Sequence, residues 1–147
     1  SMERIANEVI SELSESVEAK KITISVSGKA SVIADEKRMF ALTQNLISNA
    51  VNYNKEGGLI EVNLEETDRS SVIRIKDTGI GISEENIPHL CERFYRVDKS
   101  RSKKTGGTGL GLAIVKHICA LYGGEISIKS ELDVGTEVTV VFKKQNI

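Results

Sequence analysis

Two pairs of alternating segments, each pair joined by only a few residues, constrain the fold more than anything else in this chain. LIEVNLEET at 59–67 and SVIRIKD at 71–77 alternate apolar and polar residues on either side of a short polar turn. EISIKS at 125–130 and TEVTVVF at 136–142 do the same around Gly135. This patterning belongs to strands with one covered face, and connections this short join antiparallel neighbours. A doubly wound parallel sheet, which needs a helix between successive strands, is therefore excluded. Helical segments supply the cover. Residues 3–20 carry Ile5, Val9, Leu13 and Val17 four apart, with Ala6 and Ile10 beside them. ITISV at 22–26 reads as a strand, with SVIAD at 31–35 as a short partner. Asp35 is placed to cap a long helix running through Tyr53 and ended by KEGG at 55–58. Ser83 opens a helical patch that Pro88 interrupts, residues 93–108 show no period, and a last helix runs from about Gly109 to Tyr122 before Gly123 and Gly124. The expectation is one α+β domain over 1–147: a two-layer sandwich with a mixed or largely antiparallel sheet and three main helices on one face.

Composition supports that architecture. Of the 147 residues 39% are hydrophobic but only 4% aromatic, with no Trp, so the core is aliphatic and rich in β-branched residues, as suits sheets backed by helices. Twenty basic residues against 21 acidic ones leave a net charge of −1, which argues against a nucleic-acid partner held by the whole surface field. No apolar run reaches the length of a membrane span and the N-terminus lacks the regions of a signal peptide. A soluble chain acting in the cytoplasm without direct membrane contact is expected, monomeric in isolation. Ser1 ahead of Met2 has the look of a tag remnant, so the chain is expected to be a piece of something longer. Cys91 and Cys119, the two cysteines, fit a reducing compartment. The pairs His89/Cys91 and His117/Cys119 could suggest zinc, but residues two apart on a helix point to nearly opposite sides, so an ordinary packing role is favoured.

Three constellations could carry chemistry. In 71–77, Asp77 continues the parity of Ile73 and Ile75, which turns its carboxylate to the covered face. There it reads equally as a turn opener before Gly79 or as an acceptor awaiting a donor such as an exocyclic amine. In the long helix, Asn45, Asn49 and Asn52 form one stripe opposite Met39, Phe40, Thr43, Leu46, Ile47, Ala50 and Val51. Asn is a poor helix former where Glu, Lys or Arg would normally face water, and amide oxygens suit a magnesium shell, so a functional stripe is favoured. Third, Arg93, Arg96, Lys99, Arg101, Lys103 and Lys104 lead into Gly106, Gly107, Gly109 and Gly111, an anion trap in which Phe94 and Tyr95 could anchor a lid. The glycines fit neither G-x-G-x-x-G nor a Walker A loop, and neither H-R-D nor D-F-G is present.

NLISNAVNYN (45–54), DTGIG (77–81), ERFYRVD (92–98), GGTGLGL (106–112) and GTEVTVVF (135–142), in this order, resemble the N, G1, F, G2 and G3 boxes of the catalytic, ATP-binding domain of bacterial sensor histidine kinases. The stretch 92–118 looks most like sensors of phosphate limitation or cell-wall stress. The resemblance implies a Bergerat-type sandwich that binds ATP with Mg²⁺. It implies that Asp77 receives the adenine amine, with Gly79 and Gly81 shaping the base pocket. Asn49 would coordinate Mg²⁺ beside Asn45, these two forming the catalytic pair. Gly107, Gly109 and Gly111 would offer amides to the phosphates under a lid at about 93–108, whose best cations are Arg96 and Arg101. Asn52, Tyr53, Ile82, Tyr95, Lys99, Thr108, Leu110, Leu112 and Thr136 would complete the nucleotide site. The chain departs from the family pattern at Asn52, where Lys, His or Arg is usual, at Asn54, where Thr or Ser is usual, and at Cys91, where Phe is common.

The implied activity is transfer of the ATP γ-phosphate to a histidine on a separate dimerisation and phosphotransfer domain, for relay to a response regulator receiver domain. Neither His89, in HLCER, nor His117, in KHICA, resembles the acceptor box. Related ATP-hydrolysing machines carry a general-base glutamate one helical turn before the magnesium asparagine, where this chain has Asn45, which cannot accept a proton. A nucleotide-binding regulatory module is the other alternative.

Overall fold

The computed structural model describes residues 1–79 and 111–144. Helices α1 (Met2–Glu12) and α2 (Ser14–Ala19) lead into β1 (Thr23–Gly28), followed by α3 (Glu36–Asn52), β2 (Leu59–Glu66), β3 (Ser70–Asp77), α4 (Gly111–Leu121), β4 (Gly124–Glu131) and β5 (Gly135–Lys143). The strands form one sheet in the order β1-β2-β3-β5-β4. β1 runs parallel to β2 and the other pairs are antiparallel, so the sheet is mixed, as the two hairpin-like pairs predict.

Register converts the alternation into rows of side chains on the inner face. One row reads Gly28, Leu64, Ile73, Val140, Ile126; the next reads Val26, Val62, Ile75, Val138, Ile128. Val62, Leu64, Ile73, Ile75 and Val140 are buried in one cluster with Ile5 and Val9 of α1, Leu42, Leu46 and Ile47 of α3, and Val115 and Ile118 of α4. Full burial of one such aliphatic side chain stabilises by about 1.5–3 kcal/mol, so these rows hold the helical layer to the sheet. Across the outer face the register sets Glu61, Lys76, Glu137 and Lys129 side by side, alternating in sign, as suits a face turned to water.

The helix caps follow local chemistry. The Asp35 carboxylate accepts from the N–H groups of Lys37 (2.8 Å) and Arg38 (3.2 Å), so α3 starts where the sequence predicts. Gly123, at φ 66°, closes α4.

Two expectations are corrected. The single helix predicted over 3–20 is two helices, broken at Leu13 (φ −92°, ψ 7°). The N–H of Leu13 is shared between Val9 O (3.1 Å) and Ile10 O (3.2 Å), and the serine-rich α2 beyond it buries no residue, so packing there does not enforce straight continuation. SVIAD at 31–35 joins no strand ladder; Ser31 instead accepts from Ser71 Oγ (2.7 Å) and donates to Glu66 (2.8 Å), while Ile33 stands 99% exposed. Side-chain partners thus take the backbone groups that a ladder would have used. The helical patch opened by Ser83, the stretch 93–108 and the predicted start of the last helix at Gly109 lie outside the described residues.

Candidate functional site

The site begins where the inner rows stop being apolar. The row beyond Val62 and Ile75 reads Ile24, Ile60, Asp77, Thr136, Ser130. Parity sets Asp77 on the covered face, as its alternation with Ile73 and Ile75 predicts, but at the end of β3, where the helical layer no longer seals it. Burial pushes the Asp77 carboxyl above the ordinary carboxylate range, while backbone N–H groups of Gly79 and Thr136 donate to it and pull the other way. The Gly79 bond to Oδ1 is 2.8 Å. A carboxylate has about four acceptor sites, so two backbone donors leave room for a donor from a ligand. Ser130 Oγ lies 2.8 Å from Thr136 Oγ1 and donates to Gly135 O at 3.0 Å, which pins the start of β5 against this end of the sheet.

Two glycines make the approach possible. A Cβ on Gly79 would lie 2.3 Å from Tyr53 O and 2.9 Å from Asp77 Oδ1, so the end of α3 could not sit where it does. A Cβ on Gly135 would meet Asp77 O at 1.9 Å, and its φ of 148° is one L side chains rarely adopt. Of the G3 box, the family resemblance points to Thr136 as the site residue; Gly135 is the one that sets the spacing.

α3 brings the asparagines alongside. Met39, Leu42, Thr43, Leu46, Ile47, Ala50 and Val51 are buried, whereas Asn45, Asn49 and Asn52 are half-buried; Phe40, expected on the buried side, is also only partly covered. A purely solvent-facing stripe would be exposed, as Gln44 is. Asn45 Nδ2 donates to Ala41 O at 2.7 Å and Asn52 Nδ2 to Ser48 Oγ at 3.4 Å. The side-chain amide of Asn49 makes no hydrogen bond to another described residue. Its neutral oxygen is thus uncommitted and half-buried, which fits a hard cation that keeps most of its shell as water and phosphate oxygen. Among the described residues no cluster of three His, Cys, Asp or Glu could cage a metal, so a protein-only carboxylate site is not built here.

Asn54 is a residue whose importance the sequence pattern understates. It is 3% exposed. Its Nδ2 donates to Leu59 O at 3.2 Å, and its Oδ1 accepts from Lys55 N at 2.9 Å and from Thr78 Oγ1 at 3.4 Å. Thr78 Oγ1 in turn accepts from Leu59 N at 2.9 Å. One buried amide therefore ties the end of α3, the start of β2 and the turn after Asp77. Asn54 is a structural tie and not a hydroxyl free to reach a phosphate, and its position just past a helix end, where Asn is favoured, is the available signal.

Of the expected site residues, Tyr53, Asp77, Gly79 and Thr136 meet at this end of the sheet, with Asn45, Asn49 and Asn52 along the helix that leads to it. Gly111 opens α4, and Leu112 is partly buried against the core. Gly81, Ile82, Tyr95, Arg96, Lys99, Arg101, Gly107, Thr108, Gly109 and Leu110 lie outside the described residues, as do His89 and Cys91. On α4, His117 is exposed and Cys119 buried, so that pair shares no site, as helical geometry requires.

Comparison with known proteins places the chain in a family. Residues 34–146 match the family described as histidine kinase-, DNA gyrase B- and HSP90-like ATPase. The chain belongs to this family. Within it, the chain is 47% identical over 115 residues to the sensor histidine kinase YkoH of Bacillus subtilis, a match covering 78% of this chain and 25% of that protein. It is 39% identical over 114 residues to the phosphate regulon sensor protein PhoR of Haemophilus influenzae, covering 78% and 27%. The chain thus spans about a quarter of the length of these curated relatives. The mycobacterial sensor histidine kinase MprB superposes with a TM-score of 0.82 at 27% identity, covering 97% of this chain and 95% of that one. Full-length ShkA, solved in complex with AMPPNP, superposes at 0.80 and 28% identity, covering 97% and 30%. The ATPase family and the sensor-kinase likeness are therefore established for this chain, and the α+β sandwich matches that of its structural neighbours.

Proposed function

We propose that this domain binds Mg·ATP and donates its γ-phosphate to a histidine on a separate dimerisation and phosphotransfer domain, for relay to a receiver domain. The observation that carries the reading is the inward-turned Asp77 carboxylate, held by the N–H groups of Gly79 and Thr136 at the open end of the sheet of an ATP-binding family.

In this reading Asp77 accepts a hydrogen bond from the adenine amine, and the close packing of Tyr53 on Gly79 forms one wall of the base pocket. The uncommitted Asn49 amide oxygen would hold Mg²⁺, which when bound neutralises and orients phosphate oxygens. Asn45, committed to the Ala41 carbonyl and unable to take a proton, orients the helix face and does not activate water, which favours transfer over hydrolysis. The basic stretch 93–108 supplies the remaining positive charge. Attack by the acceptor imidazole nitrogen forms the P–N bond as the bond to the ADP oxygen breaks, and placement and charge neutralisation lower the barrier. Among the described residues no helix is long and apolar enough to cross a membrane; we place the domain at the cytoplasmic end of a sensor.

Incubated alone with radiolabelled ATP, the chain is expected to stay unlabelled and then to label an added fragment carrying an acceptor helix. Strong self-labelling, or release of inorganic phosphate with no transfer, would contradict the assignment.

A further inference from the structure

α3 ends at a place its own sequence leaves electrically unfinished. The last turn of a helix presents carbonyls without intrahelical donors and the negative end of the helix dipole, and the last turn of α3 contains no basic residue. The missing cation comes from the connector between α2 and β1. Lys20 Nζ donates to Asn52 O at 2.7 Å, to Val51 O at 3.1 Å and to Asn54 O at 3.4 Å. The connector is fixed from several sides: Gly57 N donates to Lys20 O at 2.8 Å, Thr23 N to Gly58 O at 3.0 Å, and Lys21, at φ 55°, turns the chain into β1. Lys20 is itself half-buried, so these contacts to the end of α3 are partly shielded from water.

The same backbone that carries those carbonyls also forms the wall of the site. Tyr53 O and the Cα of Asn54 lie 2.3 and 3.1 Å from the position a Gly79 Cβ would take, and the Gly79 N–H is bonded to Asp77 Oδ1. We propose that Lys20 is a positioning residue for the nucleotide site: its ammonium fixes the end of α3, which sets Tyr53 and Asn54 against Gly79 and so holds the Asp77 carboxylate in its binding geometry. This rests on the reading of Asp77 as the nucleotide acceptor. The role assigned to Lys20 is indirect. It acts through the backbone of 51–54, from a point more than thirty residues away in the chain.

The test compares three variants of this chain. Lys20→Met keeps the stem and removes the charge, Lys20→Arg keeps a cation, and Asp35→Ala destabilises the same helix from its other end, far along α3 from Gly79. Each is melted, titrated with Mg·ADP and followed by hydrogen exchange at the Gly79 amide. Loss of hydrogen bonds from a charged donor is expected to weaken Mg·ADP binding about tenfold in Lys20→Met and to speed Gly79 exchange beyond the change at core amides such as Val62. Lys20→Arg is expected to recover most of both. Asp35→Ala is expected to lower the melting temperature while leaving affinity within about twofold, because its cap lies outside the chain of contacts to Asp77. Equal affinity in Lys20→Met and wild type, or in Lys20→Met and a stability-matched Asp35→Ala, would overturn the proposal, as would Gly79 exchange that merely tracks global unfolding. Were the wild-type chain to bind no Mg·ADP, the nucleotide reading would fail, and selective loosening of Gly79 would show that the mechanical link to Lys20 still stands.

Discussion

Two adjacent stretches of the same sheet face, a single pleat apart, behave as different materials. The row through Val62, Ile75, Val138 and Ile128 is aliphatic, with Val62, Ile75 and Val138 packed in the core beneath the helices, while the row through Ile60, Asp77, Thr136 and Ser130 places a carboxylate and two hydroxyls at the open end. The strands, register and backbone bonding are continuous across both. What changes along the strand is the side chain itself: Ile60 is as buried as Val62 and Ile75, whereas its row-mates Asp77, Thr136 and Ser130 are polar and half-buried. Apolar burial beneath the helices makes a rigid platform, and an incompletely covered polar row at its edge makes a place where a ligand can supply the missing partner.

The difference is open to separation by substitution. Ile73→Ala, in the middle of the platform, is expected to cost about 3 kcal/mol of stability by urea denaturation, with the folded fraction still binding Mg·ADP. Asp77→Asn should do the reverse: affinity falls by about a hundredfold in calorimetric titration, and stability at neutral pH does not fall, because a buried charge that opposes folding is removed. If Asp77→Asn unfolds the chain, the two rows are not separable.

The pH dependence carries the same contrast. The folded-state value of Asp77 is raised, so ionisation there opposes folding at neutral pH, and that opposition fades as pH falls through the raised value. Binding runs the other way, since the protonated carboxyl loses acceptor capacity, so Mg·ADP affinity should weaken as the carboxyl protonates. Asp77→Asn should flatten this component in both measurements. Smaller effects sharpen the map. Asn49→Ala is expected to lower Mg·ADP affinity about tenfold while leaving metal-free ADP affinity and stability nearly unchanged, since Ala favours the helix. Lys76→Ala, on the outer face, should change stability by about 0.5 kcal/mol or less and affinity not at all.

Much of the platform was legible because its signals are periodic. Alternation gave β2, β3 and β5, and parity alone turned Asp77 inward. Asp35 announced α3, and three asparagines in register marked a face that is half-buried instead of solvent-facing. The family motifs added roles that periodicity does not contain. What stayed hidden depends on contacts between distant segments. Lys20 reads as one more surface lysine until the fold carries it to the end of α3, and Gly135 reads as a turn glycine until Asp77 O is seen beside it. Asn54 registers as a departure from pattern, although burial makes its amide the tie between three segments. The break at Leu13 and the unpaired 31–35 segment show the same limit, because each local pattern was right for an element that tertiary packing did not require.

If Asp77 is the base acceptor, a nucleotide base docks on the end row of the sheet and not elsewhere on the domain. Amide chemical shifts of the isotopically labelled chain, followed during titration with Mg·ADP, test it most directly. Saturable shifts are expected at Gly79 and Thr136, the two donors to Asp77, with Val62 and Val140 of the platform unmoved. Saturable binding that leaves the Gly79 and Thr136 amides where they were would contradict it.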